Sequence, residues 1–145
     1  MRYTFETEIN ASREKVAELA GNPANRLKWM DGLKSDEQIS GTPGMPGAMS
    51  RLVFQTGKME ITMNGTVTAW NLPDAFSETM DASNAFITIT SRFVALSPQK
   101  TKYISEQDYN FKGVLNKIVG FLLQAEFKKQ ALTHVENFKR FAEKS

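Results

Sequence analysis

His134 is the only histidine in this 145-residue chain, and there is no cysteine. These two counts remove much of the chemistry that a small protein can perform. Without thiols there is no disulfide, no thiolate nucleophile and no Cys-ligated metal. One imidazole cannot build a multi-histidine metal centre, so no metal and no other cofactor is expected. A histidine-based triad needs an orienting acid and a nucleophile beside the ring, and the sequence places neither. His134 falls at the edge of an apolar helical stripe, near Phe127, Ala131, Phe138 and Phe141 by spacing. A half-buried structural role fits it best.

The carboxylates offer a second kind of chemistry. Glu106 and Asp108 are two apart on a strand and share a face, as do Glu6 and Glu8. Such pairs do acid–base work when their surroundings separate their pKa values. Interleaved with Arg2 and Lys102, they read instead as a solvated outer face. The opposite face then carries Tyr103, Ser105, Gln107 and Tyr109, a polar ladder that would face an apolar cavity. Hydroxyls and an amide there could orient a carbonyl or hydroxyl of a ligand. Satisfying neighbouring backbone groups is the competing use. Arg92 shares a strand face with Phe86, Thr88, Thr90 and Val94. If that face is internal, Arg92 requires an acidic partner or an anionic ligand. Which face is internal is open at this level.

Seven methionines are many for this length. Met49, Met59, Met63 and Met80 fall on strand-like segments, and Met59 and Met63 share a face with Ile61. Flexible thioethers suit an irregular pocket and equally suit gaps in a core. Trp29, beside Leu27 and Met30, either packs short helices onto the sheet edge or gates a cavity mouth.

These residues need elements to position them. Residues 2–9 alternate apolar and polar, which predicts a half-buried strand. Ser12 reads as an N-cap with Glu14 in the first turn of a short helix. Gly21-Asn22-Pro23 stops that helix and starts another turn containing Trp29. Strands are expected over about 33–40, 49–55, 58–70, 75–81, 85–96 and 101–109, joined by short links that make an antiparallel meander. Gly41 to Gly47 is a turn cluster and not a phosphate loop, because no Gly-Lys-Ser/Thr follows and the next element is a strand. Asn64-Gly65 reads as a bulge that bends a long strand in preference to a hairpin turn, since Thr56-Gly57 already supplies one.

Residues 113–145 read as one long amphipathic helix. Leu115, Ile118, Leu122, Ala125, Leu132, Val135, Phe138 and Ala142 follow one face. The first third is apolar nearly all round, so enclosure on several sides is expected, and Gly120 lies inside it at a cost of about 1 kcal/mol relative to Ala. Close packing, room for a ligand, or no special reason would each account for that glycine. The net charge of +2 is too small for a nucleic-acid binder. From Lys112 onward, however, seven basic residues face three acidic ones. That imbalance is a solvated outer helix face or an attraction to an anionic surface or ligand. No signal peptide is read at the start, and the most apolar run, Val114 to Leu123, is too short to span a membrane. A cytoplasmic protein is expected.

The order of elements and several local motifs carry a family resemblance. Ile9-Asn10-Ala11-Ser12-Arg13-Glu14-Lys15-Val16 resembles the strand-to-helix opening of the START-like (SRPBCC) superfamily. Asn22-Pro23 followed by Trp29 is similar to its short second helix, and Gly44 to Gly47 to its Pro/Gly-rich turn. Pro73 follows the long fourth strand as in that superfamily, while Lys100-Thr101 departs from a common Gly-Thr. The resemblance covers the whole chain as a single domain. It implies an α+β helix-grip fold: a curved antiparallel sheet of six to seven strands, two short helices after strand 1, and a long C-terminal helix packed across the sheet.

That fold implies a cavity between sheet and helix and says little of its contents. The expected lining comprises Trp29, the Met59, Ile61 and Met63 face, Phe86 and Arg92, the ladder residues Tyr103, Gln107 and Tyr109, and Ile118, Phe121 and Leu122 of the long helix. The leading expectation is binding of a small hydrophobic or amphipathic molecule, such as a lipid, an isoprenoid or an aromatic polyketide. A metal-free enzyme of cyclase or dehydratase type is the second, with its catalytic residues undetermined. The third is a protein-interaction or stress-related module with a filled core, for which a homodimer through the helix or the sheet edge is one arrangement.

Overall fold

The computed structural model describes residues 1–145. The alternation of residues 2–9 becomes β1 (Arg2–Ile9), whose Phe5 and Ile9 are buried while Glu6 and Glu8 are not. Ser12 caps α1 (Arg13–Gly21), its side chain accepting from the backbone N–H of Lys15. A 3-10 turn (Pro23–Asn25) leads into the single-turn α2 (Arg26–Trp29). Six strands follow: β2 (Leu33–Ser40), β3 (Met49–Thr56), β4 (Met59–Asn71), β5 (Ala75–Asp81), β6 (Ala85–Ser97) and β7 (Lys100–Phe111). They form one antiparallel sheet with β1, in the order β1-β7-β6-β5-β4-β3-β2. Register shifts in β2, in β4 between Val67 and Ala69, and at the end of β6 mark where the pairing is irregular.

The charged face of β1, β6 and β7 lies outside. Lys102 pairs with Glu6 at 3.1 Å and Arg92 with Glu106 at 2.9 Å. The inner face of β7 carries Thr101, Tyr103 and Ser105, all buried. Thr101 donates its hydroxyl to the carbonyl of Ala11 at 2.8 Å and so ties the start of α1 to the sheet.

Two expectations are corrected. Asn64-Gly65 is neither a turn nor the bulge. Both residues lie in regular pairing within β4, and the irregularity comes three residues later. Gly65 is there for space: a Cβ would meet the Leu52 methyl and the Met80 sulfur, each at 3.1 Å. The C-terminal segment is not one uninterrupted helix either. It is α3 (Gly113–Leu122) and α4 (Gln124–Lys144), separated at Leu123. α4 carries the grip, burying Ala131, Val135, Phe138 and Ala142 against β1, α1 and α2. α3 rests on β7 and the start of α4, and of its residues only Gly120 is buried.

The core is divided. One cluster joins β1, α1 and α4 around Phe138, Val16 and Ile9. A second lies on the sheet around Leu52, Phe54, Met80 and Ile87. The space between them is the candidate site.

Candidate functional site

A cavity of about 150 Å³ lies between the sheet and α4. At roughly 30 Å³ per water in the liquid, that is room for about five waters or one small organic molecule. Of the 26 lining residues 17 are hydrophobic, among them Met30, Phe54, Ile61, Met63, Met80, Ile87, Ile89, Phe111 and Phe127. Thr56 and Gln130 also line it and are exposed, which places the rim at the end of β3 and the second turn of α4.

One wall is polar. Alternation along β7 turns Tyr103, Ser105, Gln107 and Tyr109 inward together. Tyr109 donates to Gln107 Oε1 at 2.8 Å, and Gln107 Nε2 donates to Ser105 Oγ at 3.1 Å. Burial pushes the Tyr109 phenol up to about 12, helped by Tyr3. Burial also raises Tyr103, against hydrogen bonding with Ser91 and Ser105, while the charge of Glu78 adds to the rise. Both phenols are therefore neutral donors near pH 7. His134 faces the same space. Its ring stacks on Phe54 with centroids 6.4 Å apart, and its Nε2 lies 3.0 Å from the Asp31 carbonyl oxygen. Burial lowers its pKa, opposed by that carbonyl and by the Asp31 charge.

Of the residues expected to line the cavity, the structure brings six there: Trp29, Ile61, Met63, Tyr103, Gln107 and Tyr109. Trp29 also packs edge-on against Phe138 of α4, with centroids 5.1 Å apart. The other six lie elsewhere. Met59 is at the start of β4 and 65% exposed. Phe86 and Arg92 are on the outer face of β6, because Ile87, Ile89, Ser91 and Phe93 take the inner one. Arg92 thus has its acidic partner, Glu106, in solvent. Ile118, Phe121 and Leu122 are on α3 and point away from the cavity, at 53%, 67% and 70% exposure.

Sequence reasoning missed a buried ionic group beside the cavity, of which Arg26 and Glu78 reach its lining. Arg26, at the start of α2, donates from Nη2 to Glu78 Oε2 at 2.9 Å, and its Nε lies 3.7 Å from Asp36 Oδ2. All three side chains are at most 8% exposed. Burial raises the Asp36 pKa, against the attraction of Arg26. A signal for Glu78 was available, since it lies between Phe76 and Met80 on the apolar face of β5. Arg26 sits in a single helical turn with no periodicity to read. His134, Phe54, Ile87 and Ile89 were also not among the expected lining residues.

No protein-family model and no curated protein matches the chain, but solved structures do. The Zhui aromatase/cyclase from Streptomyces sp. R1128 superimposes with a TM-score of 0.86 at 11% identity, covering 99% of this chain and 93% of that one. A START superfamily protein from Mycobacterium smegmatis gives 0.74 at 14% identity, covering 93% and 94%. The chain has the START-like helix-grip fold. Ara h 8.0201 shares it, with a TM-score of 0.74 at 12% identity over the full length of both chains. At these identities the START-like likeness is one of fold.

Proposed function

We propose that this START-like cavity binds a small amphipathic molecule, with an apolar and ring-sized body and one or two oxygen functions. The observation that carries this reading is the cavity of about 150 Å³, apolar on most sides with a hydrogen-bonding wall on one. The apolar body would displace water from Met30, Phe54, Met63 and Ile87. The Tyr103 phenol would donate to a carbonyl or hydroxyl oxygen, and the Tyr109 oxygen, whose proton goes to Gln107, would accept from a ligand hydroxyl. A lipid fragment, an isoprenoid or an aromatic polyketide-like compound meets that description, and binding in the cytoplasm without a metal is part of the reading. The test is denaturing extraction of the purified protein followed by mass spectrometry, with a fluorescent apolar probe titrated into the emptied protein. A stoichiometric small molecule or saturable probe binding is expected. No extracted compound and no saturable binding would overturn the reading.

Metal-free cyclase or dehydratase chemistry is the second reading, favoured by the convergence of two neutral phenols and by the aromatase/cyclase among the matching structures. It would act by positioning a substrate and donating hydrogen bonds to its developing oxyanion. Arg92 has no part in it, being on the outer face. Turnover of a poly-β-ketone substrate that Tyr103→Phe and Tyr109→Phe together abolish, with binding retained, would separate it from simple carriage. An interaction module with a filled core is disfavoured by the cavity itself.

A further inference from the structure

α3 is built inside out. Gly120 is its one buried residue, and Asn116, a turn earlier, is the only half-buried one. These two face the body of the protein. The apolar side chains face away: Val114 is 76% exposed, Leu115 74%, Phe121 67% and Leu122 70%, with Ile118 and Val119 beside them. A contiguous apolar surface of this kind marks an interaction site.

Charge identifies the occupant. Between Lys112 and Lys129 the only carboxylate is Glu126, against four lysines. Lys117 on α3 and Lys128 and Lys129 at the start of α4 are exposed and make no ion pair. A second copy of this chain across a two-fold axis would bring this same cationic patch against itself. An anionic bilayer takes both features at once, apolar side chains into the headgroup boundary and lysines onto lipid phosphates. The helix is about 15 Å long, so it can lie in an interface and not cross it. No helix of the protein is long and apolar enough to cross a membrane. The location is consistent with a lipid-facing role. The inner side of α3 rests on the ring of Phe111, which lines the cavity, and Phe127 and the rim residue Gln130 follow directly after α3.

We propose that α3, with Lys117, Lys128 and Lys129, docks this protein onto the surface of an anionic lipid bilayer. The inference rests on the surface of α3 and stands or falls separately from the contents of the cavity. Vesicle co-sedimentation tests it, with phosphatidylcholine vesicles and with vesicles one-third phosphatidylglycerol, at about 0.1 M salt. Wild type is expected to sediment with the anionic vesicles and on the order of ten-fold less with the neutral ones. Leu115→Ser with Phe121→Ser should lower that binding on the order of ten-fold without changing the melting temperature, because both side chains lie largely in water. Lys117→Glu with Lys128→Glu should remove the preference for phosphatidylglycerol. Wild type remaining in the supernatant with both vesicles would overturn the proposal, as would equal sedimentation of the serine variant. A dimer in analytical ultracentrifugation that the serine pair disperses would assign the face to a second copy and overturn it too. Vesicle binding with no extractable cavity ligand would leave the docking intact and sink only the cavity reading.

Discussion

His134 shows how a single side chain couples the cavity to pH. Burial lowers its pKa below the ordinary 6.5, so in the window beneath 6.5 the unfolded chain binds the proton more readily than the folded one. The stability this group contributes is full above 6.5 and is lost as the pH falls through the folded value. Thermal melts at about pH 7.5 and about pH 5.5 should show a drop for wild type and a smaller drop for His134→Gln. The buried Arg26–Glu78 ion pair predicts a larger effect. Glu78→Gln leaves the buried Arg26 with only the more distant Asp36, and should cost about 3–5 kcal/mol in urea denaturation. Replacing Arg26, Asp36 and Glu78 together by apolar residues of similar volume should cost much less. Residue roles were the least legible part of the sequence. Strand periodicity separates two faces without saying which is internal. Phe86 and Val94 make the outer face of β6 look apolar, although Ile87, Ile89 and Phe93 make the inner one more so. On β7 the charges of one face match those of β1, which favours the opposite face as the internal one.

Among the elements, strand existence and type were legible almost throughout, because alternation reports burial on one side directly. β1 and β5 fall at the expected bounds. The last helix was not, because periodicity measures apolarity, and apolarity is a statement about burial only when the partner belongs to the same chain. Residues 113–122 have the composition of an enclosed helix and yet lie on the surface. The break at Leu123 carries no proline or glycine that could have announced it. Gly120 is explained by close packing. A Cβ there would come within 2.6 Å of the Phe111 ring, which is itself held against Phe127 at 5.4 Å. Gly120→Ala should therefore destabilise by about 1–3 kcal/mol from overpacking, against a helix-propensity gain of about 1 kcal/mol. A net loss of stability in urea melts is the expected sign; a net gain would mean that α3 lifts off Phe111 without penalty.

For the whole molecule, the order strand, two short helices, meander, long helix was enough to imply the grip and the space beneath it. The size of that space was not legible, because it depends on how far α4 stands from the sheet, which no local pattern encodes. Filling it separates function from fold. Ile89→Phe adds volume inside the cavity, so it should leave stability in urea melts unchanged or raise it by up to about 1 kcal/mol, while probe binding falls on the order of ten-fold. Parallel loss of stability and binding would instead mean that the inner face of β6 has no room to spare. The interruption at Leu123 has a consequence for how the protein breathes. α3 is bounded there and, at its other end, by Gly113 with φ of +77°. It shares almost none of the buried contacts that hold α4. Its backbone amides should exchange with deuterium through local openings that cost less than global unfolding, while those around Val135 and Phe138 should exchange only on global unfolding. What reads as one continuous helical run is two cooperative units, and the less stable of them carries the apolar surface.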